Sequence, residues 1–300
     1  MSILNQASDG LFNVLIVLVR ALVRFGPRER DELILVCGGA ADQVDPSQLT
    51  RTLNRWTELG LFLEDKGAVA IAEPYRSALG KNADEAEARL PKVARTVALL
   101  PTNNARFWES EEARSADLSR GVAWMLAQDV YLLDVNSDRL AELESRQLID
   151  SSAQKIAQNN TRWNGLKTWM RYLGFARESM QWVVDPTEAL RDALPEIFGS
   201  SRELTGPAFV ARTASVLPVL DGGAYRRQVE AVLKENAWPR PREGCLSSSL
   251  SRAIQRLDRE GAIKLANRSD TEGVVTLTGI NMRTWRDVSH VSWLPLGEVV

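Results

Sequence analysis

The chain has 300 residues, 44% of them hydrophobic and 25% charged, the composition of a folded globular protein with room for two or three cores, so general disorder is excluded. Its formal net charge is −2, which excludes whole-molecule attraction to nucleic acid or membrane and confines any basic surface to a patch. Cys37 and Cys245 are far apart and near no histidine, which argues against a disulfide framework or a zinc cluster and points to a reducing cytoplasm.

The first predicted element is a helix from about Gly10 to Arg24, stopped by Phe25-Gly26-Pro27. Its apolar stretch, Leu11 to Val23, is 13 residues long and carries Arg20, too short for a membrane span, so it reads as a buried helix. A second helix is predicted from Arg28 to Cys37, ending at Gly38-Gly39. The third carries the clearest signals: Asp45 caps it, Pro46 opens it, Leu49, Leu53 and Trp56 recur at i, i+4, i+7, and Gly60 closes it. Leu61 to Leu63 and Ala68 to Ile71, around the polar tip Glu64 to Gly67, then form a hairpin. Three helices followed by a hairpin is the winged-helix order.

The middle, Glu85 to Phe198, reads as mostly helical. Within it, Trp163 to Val184 gives a helix, Gly174-Phe175 and a short apolar strand before Asp185-Pro186, either a degenerate third winged helix or a plain bundle segment. Linkers are predicted near Leu79 to Asp84 and Gly199 to Pro207.

The N-terminal pattern then returns. LTRTLNRWTELGLF (Leu49 to Phe62) lies over LSRAIQRLDREGAI (Leu250 to Ile263) at a constant offset of 201, pairing Leu53 with Ile254, Trp56 with Leu257 and Gly60 with Gly261. Ala262 to Leu265 and Val274 to Leu277, around a tip from Asn267 to Gly273, would be its wing, and about Pro207 to Leu217 and Gly223 to Glu235 its earlier helices. The fold predicted is therefore mainly α: winged-helix domains at 1–80 and 207–300 flanking a helical domain at 81–200.

On a helical wheel the apolar positions of each repeated helix cluster within about 60°. The opposite face of the first copy holds Ser47, Arg51, Asn54, Arg55 and Glu58, that of the second Ser248, Arg252, Gln255, Arg256 and Arg259. In a helix-turn-helix protein such a face enters the major groove, where Arg reads guanine and Gln or Asn reads adenine. Arg240 and Arg242 on the preceding loop, with Lys264 and Arg268 on the wing, would contact phosphates. The C-terminal copy is the better candidate, because residues 207–300 hold 13 basic and 10 acidic residues whereas 1–80 hold 8 and 10. Of the 37 cations 30 are arginine, suited to phosphate and guanine, although a GC-rich genome gives the same bias.

Nothing of comparable strength points to an enzyme. His290 is the only histidine, no P-loop and no GxGxxG follows a strand, and the acidic pairs Asp84-Glu85, Glu111-Glu112 and Glu142/Glu144 sit in polar helical sequence. No catalytic residue, metal or cofactor is implied.

The opening MSILNQASDGLFNVLIVLVRALVRFGPRERDELILVCGG, the LTRTLNRWTELGLF unit and the WMRYLGF and VVDPTEAL stretches resemble the DpdG family of bacterial Dpd clusters, which place a 7-deazaguanine derivative in DNA and restrict DNA that lacks it. The resemblance implies a defence setting, with modified or phage DNA and other proteins of the cluster as partners, and brings no catalytic residues. The reading that follows is a non-catalytic DNA-binding accessory or specificity protein of the cytoplasm, with no membrane partner and homodimerisation left open. The alternatives are a winged-helix scaffold that touches no nucleic acid and a transcription regulator.

Overall fold

A computed structural model describes residues 3–4, 12–41, 45–109, 114–150, 155–157, 159–268 and 273–295. Gly10 and Leu11 of the first predicted helix, the pair Glu111-Glu112 and residues 269–272 of the expected C-terminal tip lie outside the described residues. The protein is mainly α, about 52% helical, with small antiparallel sheets. No described helix is long and apolar enough to cross a membrane. The chain divides into two compact units, Met1–Leu118 with Thr161–Leu173 and Ser119–Asn160 with Gly174–Val300, each of which includes part of residues 81–200.

In the first unit, α1 (Phe12–Phe25) buries Leu15, Leu18, Val19 and Leu22 as one stripe. The second predicted helix is interrupted: Arg28–Glu29 form a short strand β1, α2 covers only Arg30–Ile34, and a π turn at Leu35–Gly39 ends it, with Gly38 at φ 96°. α3 (Pro46–Glu58) starts as the sequence indicates, the Asp45 carboxylate accepting from the Ser47 amide, and ends at Gly60, whose φ of +89° only glycine adopts without strain. β2 (Phe62–Asp65) and β3 (Ala68–Ile71) pair as predicted, and β1 joins them in the order β1-β3-β2.

α4 (Tyr75–Ala78) and α5 (Ala83–Ala98) follow, and α1 packs on both α3 and α5. The chain then runs through α6 (Ala116–Ala127) and α7 (Ser137–Gln147) before α8 (Asn160–Tyr172) contributes Trp169 to this unit, its ring 5.7 Å from that of the fully buried Trp56.

In the second unit, the strands β4 (Ala176–Glu178) and β5 (Trp182–Val184) form a hairpin. Next come α9 (Thr187–Phe198), strand β6 (Glu203–Thr205), α10 (Gly206–Val216), α11 (Ala224–Glu230) and α12 (Ser248–Arg259), followed by β7 (Ile263–Ala266), β8 (Val275–Thr278), β9 (Thr284–Val288) and β10 (His290–Trp293). The repeat survives as structure: Leu49 to Glu58 and Leu250 to Arg259 are both helical, and Leu53, Ile254, Trp56 and Leu257 are all buried.

The expected C-terminal wing is corrected. β7 does not pair with β8; it pairs with β10, which also pairs with β6, while β8 pairs with β9 as a separate hairpin inserted between β7 and β10. The cause is where the apolar residues can go. Val291 of β10 fills the register opposite Leu265, whereas β8 is drawn to the start of α12, the Leu246 amide donating to the Thr276 carbonyl and the Thr278 amide to the Ser251 hydroxyl.

One titratable group in this unit carries a stability consequence. Glu144 on α7 is buried and accepts from the Ile156 and Ala157 amides, and burial pushes its carboxyl up to about 7 against those bonds and the charges of Lys155 and Arg120. Because the folded-state value lies above the unfolded one, the contribution of Glu144 to stability is fully present below about pH 4.5 and is lost as pH rises to about 7, a change on the order of 2–3 kcal/mol. Glu144→Gln keeps the acceptor and removes this share of the slope, so urea midpoints of wild type and variant should agree near pH 5 and diverge, variant higher, near pH 8.

Candidate nucleic-acid interface

α12 is fixed from its first residue. The Ser247 hydroxyl caps it by accepting from the Leu250 amide, and donates to Asp221 at 2.6 Å. Leu250, Ala253, Ile254 and Leu257 form the buried stripe. Ser248, expected on the open face, is instead fully buried, its hydroxyl accepting from the Val130 amide at 3.1 Å and facing the Gln128 carbonyl at 3.3 Å. The expected solvent face is thus partly a packing face, against the segment that follows α6.

The arginines of that face converge on a carboxylate that the sequence did not single out. Asp185, its side chain 1% exposed, receives Arg256 at 2.9 Å, Arg177 at 3.3 Å and Arg252 at 3.6 Å, all on Oδ2. Its Oδ1 accepts from the amide and hydroxyl of Thr187, which opens α9. Arg252 also lies 5.2 Å over the ring of Tyr131 in a cation–π contact. Arg256 reaches Glu260 at 3.1 Å, and Glu260, held below the usual carboxylate range by its bonds to Arg191 and Arg256, closes the cluster on one side. Arg259 is exposed one turn on, and Gln255 is half-buried.

A guanidinium has five N–H donors and a carboxylate about four acceptor sites. Two of Asp185's sites serve Thr187, so Arg177, Arg252 and Arg256 keep donors that one carboxylate cannot satisfy. Arg177 and Arg256 remain 44% and 25% exposed, and with Arg259 they turn an arginine-rich edge to solvent.

The remaining expected contacts scatter. Arg268 is engaged by Glu203 through two bonds of 2.8 Å, which with Ser292 hold the Glu203 carboxyl below its usual range. Arg240 lies 3.6 Å from Glu235, and Lys264 and Arg242 are exposed. In the first unit Arg55 is a correction: it is buried, its Nη1 bonded to Glu58 at 2.9 Å, and so offers nothing to a groove. Arg51 leans to Asp45 at 3.7 Å, and Asn54 and Glu64 are both taken by Arg30. The structure thus brings Arg252, Arg256 and Arg259 together with Arg177, whereas of the two arginines expected on the open face of α3 it leaves only Arg51 partly exposed.

Beside the cluster is a recess of about 400 Å³ walled by Val130, Tyr131, Leu133, Trp182, Val183 and Val184, with Asp134 and Gln181 as its polar members. Leu133 and Asp134 also line a second, larger cleft of about 710 Å³ with Trp238, Arg139 and Arg146.

These features define a mainly α protein with an arginine cluster gathered by one buried carboxylate next to an aromatic recess. The chain belongs to the DpdG-like family, whose model matches residues 1–271 and so includes α12 and β7. No curated protein and no solved structure matches it.

Proposed function

We propose that this chain is a non-catalytic DNA-binding accessory protein of the Dpd modification–restriction system, built on tandem winged-helix units whose C-terminal member carries the contact. The observation that supports this most directly is the convergence of Arg177, Arg252 and Arg256 on Asp185 with Arg259 alongside, since guanidiniums held in fixed orientation bind phosphate bidentately at little entropic cost. Membership of the DpdG-like family supports the system.

The test is DNA affinity against salt concentration. Arg177 and Arg259 are the most exposed of the four, so Arg177→Ala/Arg259→Ala is expected to lower the slope of log affinity against log salt by about two, and to lower the thermal midpoint only modestly because Arg252 and Arg256 still neutralise Asp185. Arg51→Ala should change neither. Undetectable binding by folded wild type would overturn the proposal.

A second role is supported for the first unit. Arg55 is consumed by Glu58, while Val17, Leu35 and Val36 are exposed, and Cys37 beside Val36 contacts the Val17 carbonyl. This apolar surface fits contact with another protein of the cluster better than contact with phosphate.

A further inference from the structure

We infer that the recess beside the arginine cluster is a nucleobase pocket, and that the DNA bound here is single-stranded, one unstacked base entering between Tyr131 and Trp182 while its phosphates lie on Arg177, Arg256 and Arg259. This inference rests on the proposed DNA binding and narrows it. It starts from α12. A recognition helix needs a face free over several turns, but Ser248 is sealed against Gln128 and Val130, and Arg252, drawn to Asp185 and lying over the Tyr131 ring, is 18% exposed. That helix cannot enter a major groove with its arginines leading.

The surface it does offer has the parts a single strand uses. Aromatic faces accept stacked bases regardless of sequence, and a flanking cationic edge follows the backbone. Tyr131 is 40% exposed, and the ring-to-Arg252 contact links the recess wall directly to the cluster. Val184, which also lines the recess, is joined in the chain to Asp185 itself.

The volume of about 400 Å³ suits one nucleotide and lies in the range of small-ligand sites. A base pair inside a duplex exposes only its edges, so its face reaches Tyr131 or Trp182 only after unstacking, which a single strand does at least cost. The polar groups select among bases. Asp134, its Oδ1 accepting from the Asn136 amide, keeps acceptor capacity toward the recess, and Gln181 adds a carboxamide, so a base that donates N–H is favoured. Asp134 also repels phosphate, which places the backbone at the arginine end.

The experiment is fluorescence anisotropy at 150 mM salt with three probes: a mixed-sequence single-stranded DNA 15-mer, its blunt duplex, and the same 15-mer made wholly abasic. Wild type should bind the single strand at least tenfold tighter than the duplex or the abasic strand. Tyr131→Leu and Trp182→Leu should each weaken single-strand binding by roughly 5- to 100-fold, with an unchanged salt slope because no phosphate contact is lost. Tyr131→Phe should keep the affinity, and Arg139→Ala/Arg146→Ala, in the other cleft, should not alter it. Equal affinity for duplex and single strand, or both Leu variants within twofold of wild type while Arg177→Ala/Arg259→Ala still lowers the slope, overturns the pocket and leaves the DNA-binding reading standing. No binding to any probe overturns both.

Discussion

Asp185→Ala is expected to destabilise the second unit by about 3–5 kcal/mol, the range for removing one partner from a buried charge network. The carboxylate is 1% exposed and joins three elements: Thr187 at the start of α9, Arg177 on β4, and Arg252 and Arg256 on α12. Its removal takes the acidic partner from Arg177 and Arg252, leaves Arg256 with Glu260 alone, and leaves an unpaired amide at the start of α9. Asp185→Asn keeps an acceptor for Thr187 and loses only the charge, so it should fall between Asp185→Ala and wild type. Urea unfolding of the three proteins checks the order; a change under about 1 kcal/mol for Asp185→Ala would mean that the arginines relax into solvent and that the network contributes little. The same substitution should weaken DNA binding although it removes a negative charge, because arginines released from Asp185 must be ordered again when they bind. Were electrostatics alone at work, affinity would rise.

Asp185 also marks how far local sequence can be read. α3 and α12 were legible because each carries apolar residues at i, i+4, i+7 between a capping side chain and a glycine at φ +89° or +74°. Such signals act within about four turns of one helix. Ser248 and Arg55 were misplaced because a wheel describes a helix in isolation, and what covers Ser248 comes from Gln128 and Val130, 120 and 118 residues earlier. The partner of β7 was missed for a related reason. The nearest β-branched run, Val274 to Leu277, was the natural choice on sequence distance, but the register is set by Val291 in a four-residue strand containing His290 and Trp293, too short to show alternation. Asp185, followed by proline and threonine, reads locally as the start of a helix, and nothing nearby reveals that two arginines of α12, 67 and 71 residues later, will meet it beside Arg177.

Trp56→Ala should cost the first unit about 3–5 kcal/mol. The side chain is fully buried, packs 5.7 Å from the ring of Trp169, and sits on the α3 face with Leu49 and Leu53, so truncation opens a large cavity between α3 and α8 that rigid helices cannot close. Trp56→Phe separates volume from chemistry. The indole Nε1 is buried with no hydrogen-bond partner, a donor whose desolvation is uncompensated, so removing it offsets part of the lost contact area. The phenylalanine variant should therefore lose much less, on the order of 1 kcal/mol. Chemical denaturation followed by far-ultraviolet circular dichroism, which does not depend on the deleted fluorophore, reads both. An alanine variant as stable as wild type would mean that the apolar stripe of α3 has been placed on the wrong side of the helix. Equal losses for alanine and phenylalanine would mean instead that the indole nitrogen is satisfied by a bound water, and that its hydrogen bond rather than its volume holds the site together.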